Sequence, residues 1–192
     1  MLLTFASLVA GALAALATIK YYEPDGHFNR RDLLLCLFCV LTGLTLIIVG
    51  QPPETLALTV ASGLLCACAI TDVLRGWLPC ELTLPLIVAS LWHASLSPWG
   101  FPDALIWGGI WTIFYTLRYG YYYLKRADSH ERPGGGDVFL VAAAGLCGGN
   151  LSGMTLAMAI SAHFIWGTLR HQRIAPFGPW LSLAIGLQLF YL

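Results

Sequence analysis

The sequence predicts an all-α, polytopic membrane bundle of about eight apolar segments, forming a single membrane-embedded domain over residues 1–192 with the N-terminus outside. Three observations predict it. The chain is 58% hydrophobic and 10% charged, with a mean hydropathy of +0.74, whereas a soluble domain carries about a quarter charged residues. Its apolar residues are gathered into long runs separated by Gly and Pro clusters. Every Lys and Arg falls in alternate connections between those runs.

Met1–Ile19 is a nearly uncharged run of roughly the ~20 residues that span a bilayer. It lacks the basic stretch that precedes the apolar part of a signal peptide, and Lys20, Arg30 and Arg31 follow it instead, so it reads as an uncleaved first helix. Leu33–Val49 is the second segment, closed by Gly50-Gln51-Pro52-Pro53. Leu56–Ile70 is the third and ends at Thr71-Asp72; Pro79 opens the fourth, Cys80–Leu96, which Ser97-Pro98-Trp99-Gly100 closes. Ala104–Leu117 is the fifth and leads into a basic, tyrosine-rich stretch, Arg118–Arg132. The sixth runs from Asp137 to Gly148-Gly149-Asn150, short for a full crossing, so it is expected to start within the membrane thickness with its glycine loop buried in protein. Leu151–Leu169 and Phe177–Leu192 complete the set.

Charge fixes the expected orientation. With the N-terminus outside, the cytoplasmic connections hold Lys20, Arg30 and Arg31; Arg75; Arg118, Lys125, Arg126 and Arg132; and Arg170 and Arg173, and the opposite connections hold no basic residue. Trp92, Trp99, Phe101 and Trp107 cluster towards the other boundary, where an aromatic belt belongs. The basic residues form no stripe, so no nucleic-acid partner is expected; the lipid bilayer is the expected surrounding.

The chemistry gathers at Pro133-Gly134-Gly135-Gly136-Asp137. Three glycines allow backbone conformations closed to other residues and a close approach to another segment. They deliver a carboxylate to the start of a buried helix, where a charge is costly and points to function. Asp72, in Thr71-Asp72-Val73-Leu74-Arg75-Gly76-Trp77-Leu78-Pro79, lies at the same face of the predicted bundle. Two carboxylates brought together cannot both ionise comfortably. One can then take a proton from water while the other donates to a scissile carbonyl oxygen, which suffices for peptide hydrolysis without metal, cofactor or covalent intermediate. Structural readings stand beside this one. Asp137 fits an N-cap of the sixth helix, Asp72 fits a solvated helix end beside Arg75, and Glu81 is a third carboxylate able to replace either. Cys36-Leu37-Phe38-Cys39 has C-x-x-C spacing but no second pair, so all the cysteines except Cys80 read as packing residues within apolar runs. His93, His130, His163 and His171 show no metal-ligand spacing. Gly145-x-x-x-Gly149 and Gly149-x-x-x-Gly153 read as helix-packing motifs.

Gly134-Gly135-Gly136-Asp137 fits the G-x-G-D motif of intramembrane aspartic proteases. Asp72, followed by Leu78-Pro79 and Leu82-Thr83-Leu84-Pro85, resembles the first aspartate motif of type IV prepilin peptidases (the A24 family), and Ala175-Pro176-Phe177-Gly178-Pro179 resembles that family's third recurrent motif. Presenilins and signal peptide peptidases share G-x-G-D but carry a Pro-Ala-Leu motif that is absent here. The resemblance implies that Asp72 and Asp137 are the catalytic pair, with Gly134, Gly136, Pro79, Pro176, Phe177, Gly178 and Pro179 as supporting motif residues. It implies cleavage of the short basic leader of type IV prepilins, or of type II secretion pseudopilins, at the cytoplasmic face of the bacterial inner membrane. A substrate with one apolar helix would approach laterally through the bilayer. Two departures stand out. Phe139 occupies the position, two residues after the second aspartate, where members often carry Lys. The connection Lys20–Asp32 replaces the cytoplasmic domain with paired C-x-x-C motifs found in the larger bifunctional members, so a short-form peptidase is expected and N-methyltransferase activity is not part of that expectation.

Other classes predict different features. A transporter would carry its aspartates near mid-helix with repeat symmetry, and neither is present. A non-catalytic pilus assembly protein would tolerate substitution of both aspartates.

Overall fold

A computed structural model describes residues 2–50, 55–97, 100–125, 134–170 and 176–191, and every regular element among them is helical. The elements are α1 (Leu2–Tyr22), α2 (Arg30–Gly50), α3 (Leu56–Arg75), α4 (Cys80–Leu96), α5 (Gly100–Leu124), α6 (Gly135–Gly148), a 3-10 turn (Gly149–Leu151), α7 (Ser152–Arg170) and α8 (Gly178–Tyr191). Pro52, Pro53, Pro98, Trp99, Arg126, His130, Arg132, Pro133, His171, Arg173 and Ala175 lie outside the described residues. Among the described residues, four stretches are long and apolar enough to cross a membrane: Leu2–Tyr22, Arg30–Val49, Leu56–Arg75 and Gly135–Leu169, the last running from α6 through α7. Cys80–Leu96 is a shorter apolar helix. This is the architecture of a helical membrane protein.

Local chemistry sets the helix ends. Asn29 and Asp32 cap α2 reciprocally, the Asp32 N–H donating to Asn29 Oδ1 (2.9 Å) and the Asn29 N–H to Asp32 Oδ2 (3.3 Å). The Thr55 hydroxyl accepts the Leu58 N–H at the start of α3. At the other end Gly76, with φ 71°, donates its N–H to the Asp72 carbonyl, so α3 runs one turn beyond the expected end and takes Asp72 into its last turn. The fifth segment also extends further than expected. Arg118 lies over the rings of Tyr115 and Tyr122, and Lys125 over Tyr121, which carries helix through the tyrosine-rich stretch to Leu124.

α3 is the central helix. It packs against α1, α2, α4 and α8, and its residues from Ala57 to Asp72 are largely buried. α6 packs against α4, α5, α7 and α8. The two helices are therefore linked through α4 and α8, which touch both. Small residues make the tight crossings: Gly11 of α1 meets Gly63 of α3, and Gly145 of α6 meets Gly108 of α5. Interhelical hydrogen bonds add direction, from Trp111 Nε1 to Ser152 Oγ (2.8 Å), from Cys147 Sγ to Ser90 Oγ (3.2 Å) and from Thr155 to Gln188. Cys36 and Cys66 are part of the buried apolar core.

Candidate active site

The ends of α3, α6 and α8 meet at one end of the bundle. Asp72 is 5% exposed, and its Oδ2 accepts the backbone N–H of Gly178, the first residue of α8, at 2.7 Å. A solvated position beside Arg75 is thereby overturned. Arg75 instead donates from Nε to Glu23 Oε2 (2.7 Å) and places Nη1 3.8 Å from Asp32 Oδ2. Asp72 lies at the C-terminal end of α3, where the helix dipole disfavours a carboxylate. The N-terminus of α8 offsets this with a donor that has no partner within its own helix. Pro179 follows at a position where the missing N–H costs no helical bond.

Asp137 occupies the third position of α6, and its Oδ2 accepts the Gly134 N–H at 3.0 Å. Gly134 is the N-cap and Asp137 closes the turn from within, so the capping geometry exists but not at the position expected. This end of a helix favours negative charge. Asp137 is only half-buried, and the two carboxylates are close enough for its charge to act on Asp72.

The close approach expected of the glycines is made at Gly136, whereas the expected burial of the glycine loop is overturned, since Gly134 and Gly135 are exposed. Gly134 has φ −64°, and the positive-φ glycines among the described residues are Gly76, Gly100 and Gly149. No left-handed conformation is used in the Gly134–Gly136 triplet. What matters there is space. A Cβ on Gly136 would stand 2.5 Å from the Leu78 carbonyl oxygen, whereas one on Gly135 would meet nothing within 4 Å. A Cβ on Gly178 would stand 2.7 Å from Asp72 Oδ2. Gly136 thus lets the Asp137 turn close on the Leu78-Pro79 segment, and Gly178 lets α8 close on Asp72.

Three further residues join the site. Phe177 stacks on the buried Tyr115 ring (centroids 6.2 Å apart, planes at 13°), and the His163 ring stands edge-on to Phe177 at 5.5 Å. The Arg118 guanidinium lies 5.6 Å from the Tyr115 centroid and 6.0 Å from that of Tyr122, and is near enough for its charge to act on Asp137. Motif reasoning passed over Arg118 and Tyr115, although their spacing with Tyr122 on one helical face was a readable signal. Pro176 is half-buried just ahead of Phe177. Glu81 is exposed and accepts hydrogen bonds from Tyr22 and Cys80. Among the described residues, no three His, Cys, Asp or Glu side chains converge.

The sequence pattern of the Type IV leader peptidase family matches residues 59–169, more than half of the chain and including both aspartates. Phe177, Gly178 and Pro179 fall outside the match. No curated protein and no solved structure matches the chain. The extent of the family match makes this chain a member of the Type IV leader peptidase family, a family of peptidases.

Proposed function

We propose that this protein is an intramembrane aspartic endopeptidase, in which Asp72 and Asp137 activate water to remove the short basic leader of a type IV prepilin or pseudopilin. In this reading residues 1–192 form one membrane-embedded peptidase domain of the bacterial inner membrane, with eight crossings, an outside N-terminus and its active site at the cytoplasmic side. The observation that carries it is the convergence of two carboxylates, distant in sequence, at one end of the bundle, with Asp72 buried against the backbone of α8.

The division of labour follows from the setting. With one carboxylate ionised and the other protonated, the first draws a proton from water as its oxygen attacks the scissile carbonyl carbon. The second donates to the carbonyl oxygen, giving a tetrahedral diol. Proton transfer to the leaving nitrogen then breaks the C–N bond and restores the pair. The Gly178 N–H and the Gly134 N–H fix the two carboxylates so that the reacting geometry does not have to be assembled from mobile side chains.

The test is a cleavage assay in membranes with a prepilin from the same source. Asp72→Asn and Asp137→Asn should each abolish processing while the protein still accumulates in the membrane. Normal cleavage by either variant would refute the pair.

A further inference from the structure

A recess opens on the same end of the bundle. It is a cavity of about 430 Å³ lined by Tyr22, Glu23, Trp77, Pro79, Cys80 and Glu81. Its walls come from the C-terminal end of α1, the segment joining α3 to α4 and the first turn of α4. The two rings meet edge to face, with the Tyr22 and Trp77 centroids 5.3 Å apart at 75°. The Tyr22 hydroxyl donates to Glu81 Oε1, and Cys80 Sγ stands 3.5 Å from Glu81 Oε2. The nearby cations are engaged elsewhere: Arg75 with Glu23 and Asp32, and Lys20 with the carbonyls of Pro24 and Gly26. Among the described residues no cation pairs with Glu81.

We infer that this recess is a binding site for a Lys or Arg side chain of the substrate's leader. The inference rests on the peptidase reading above. A guanidinium or ammonium there would meet two aromatic rings and a carboxylate without a cationic partner, both groups that attract an organic cation. The backbone joins this recess to the aspartates. Gly76 ends the helix of Asp72; Trp77 and Pro79 line the recess; Leu78, between them, packs on Gly136, one residue before Asp137. A cation held against Trp77 is therefore anchored to the segment on which the Asp137 turn rests. That arrangement sets how far along the leader the scissile bond falls.

The experiment uses the full chain in liposomes and two synthetic substrates. Each has one apolar helix and a short leader; in one the leader contains Lys and Arg, in the other these are all Gln. Glu81 is exposed, so Glu81→Gln should leave the fold intact, and Trp77→Leu gives an independent variant. Each should raise KM for the basic leader about tenfold, with kcat unchanged. Neither should alter KM for the Gln leader. An unchanged KM for the basic leader, or an equal rise for both leaders, would overturn the assignment. Wild-type protein that accumulates but cuts neither substrate would instead refute the peptidase reading and the leader site with it. Cleavage lost in Asp72→Asn yet indifferent to Glu81 and Trp77 would refute the leader site alone.

Discussion

The C-terminal end of α3 and the N-terminal end of α6 each present one aspartate, and they hold it in opposite ways. Asp72 is buried at the helix end that repels a carboxylate, and depends on a backbone N–H from a distant element, α8. Asp137 stands half-buried at the end that favours it, held by a turn of its own chain. One site is assembled by tertiary packing and the other by local sequence. The pair can act only if the long-range half is in register with the local half.

The largest effect expected is from removing either carboxylate. Asp72→Asn and Asp137→Asn should each lower cleavage at least about a thousandfold, measured as processed substrate against total substrate in membranes. If only one loss appeared, the comparison would collapse into a single active carboxylate. Next come the glycines that allow the close approaches. Gly178→Ala sets a methyl against Asp72 Oδ2, and Gly136→Ala sets one against Leu78. Each should cost about a hundredfold in kcat through misplacement of a carboxylate. The long-range half is the more sensitive to retained fold, so its variant should be checked for membrane accumulation beside the rate.

How much of this was legible follows the same division. The local half was readable: Gly134-Gly135-Gly136-Asp137 names both the turn and the carboxylate. The close approach of its glycines was expected too, but not its partner, because local sequence says nothing of what a neighbour brings, and it is Leu78 that excludes a side chain at Gly136. On the long-range side, Asp72 and Gly178 could be singled out by motif but not joined, since nothing local links the end of α3 to the start of α8. The apolar runs located the helices, yet the ends of α3 and α5 were placed short. Gly76 caps the first one turn later, and pairing of Arg118 and Lys125 with tyrosines one turn away sustains the second. Hydropathy also left unsaid which helix is central. α2 is strongly apolar and mostly faces outward, whereas α3, rich in Ala, Ser, Gly and Cys, is packed on several sides.

Arg118 offers a smaller test of how the halves are tied. It acts on Asp137 by charge and lies over Tyr115, which stacks on Phe177 just ahead of α8. Arg118→Gln should lower kcat about tenfold, and Arg118→Lys should recover part of it, read from initial rates at saturating substrate. A full loss in both would make the guanidinium's shape, rather than its charge, the requirement. The smallest effect is expected at positions that face open space. Gly135→Ala, with nothing within 4 Å of the added carbon, and Phe139→Ala, at an exposed side chain, should stay within about twofold of wild type in the same assay.

The central claim is that Asp72 and Asp137 act as one unit, and the most direct measurement is a double-mutant comparison of cleavage rates. Asp72→Asn, Asp137→Asn and the double variant should fall to the same residual rate, because each single change already disables the pair. Near-normal cleavage by either single variant, or a double variant whose loss is the product of two partial ones, would contradict it.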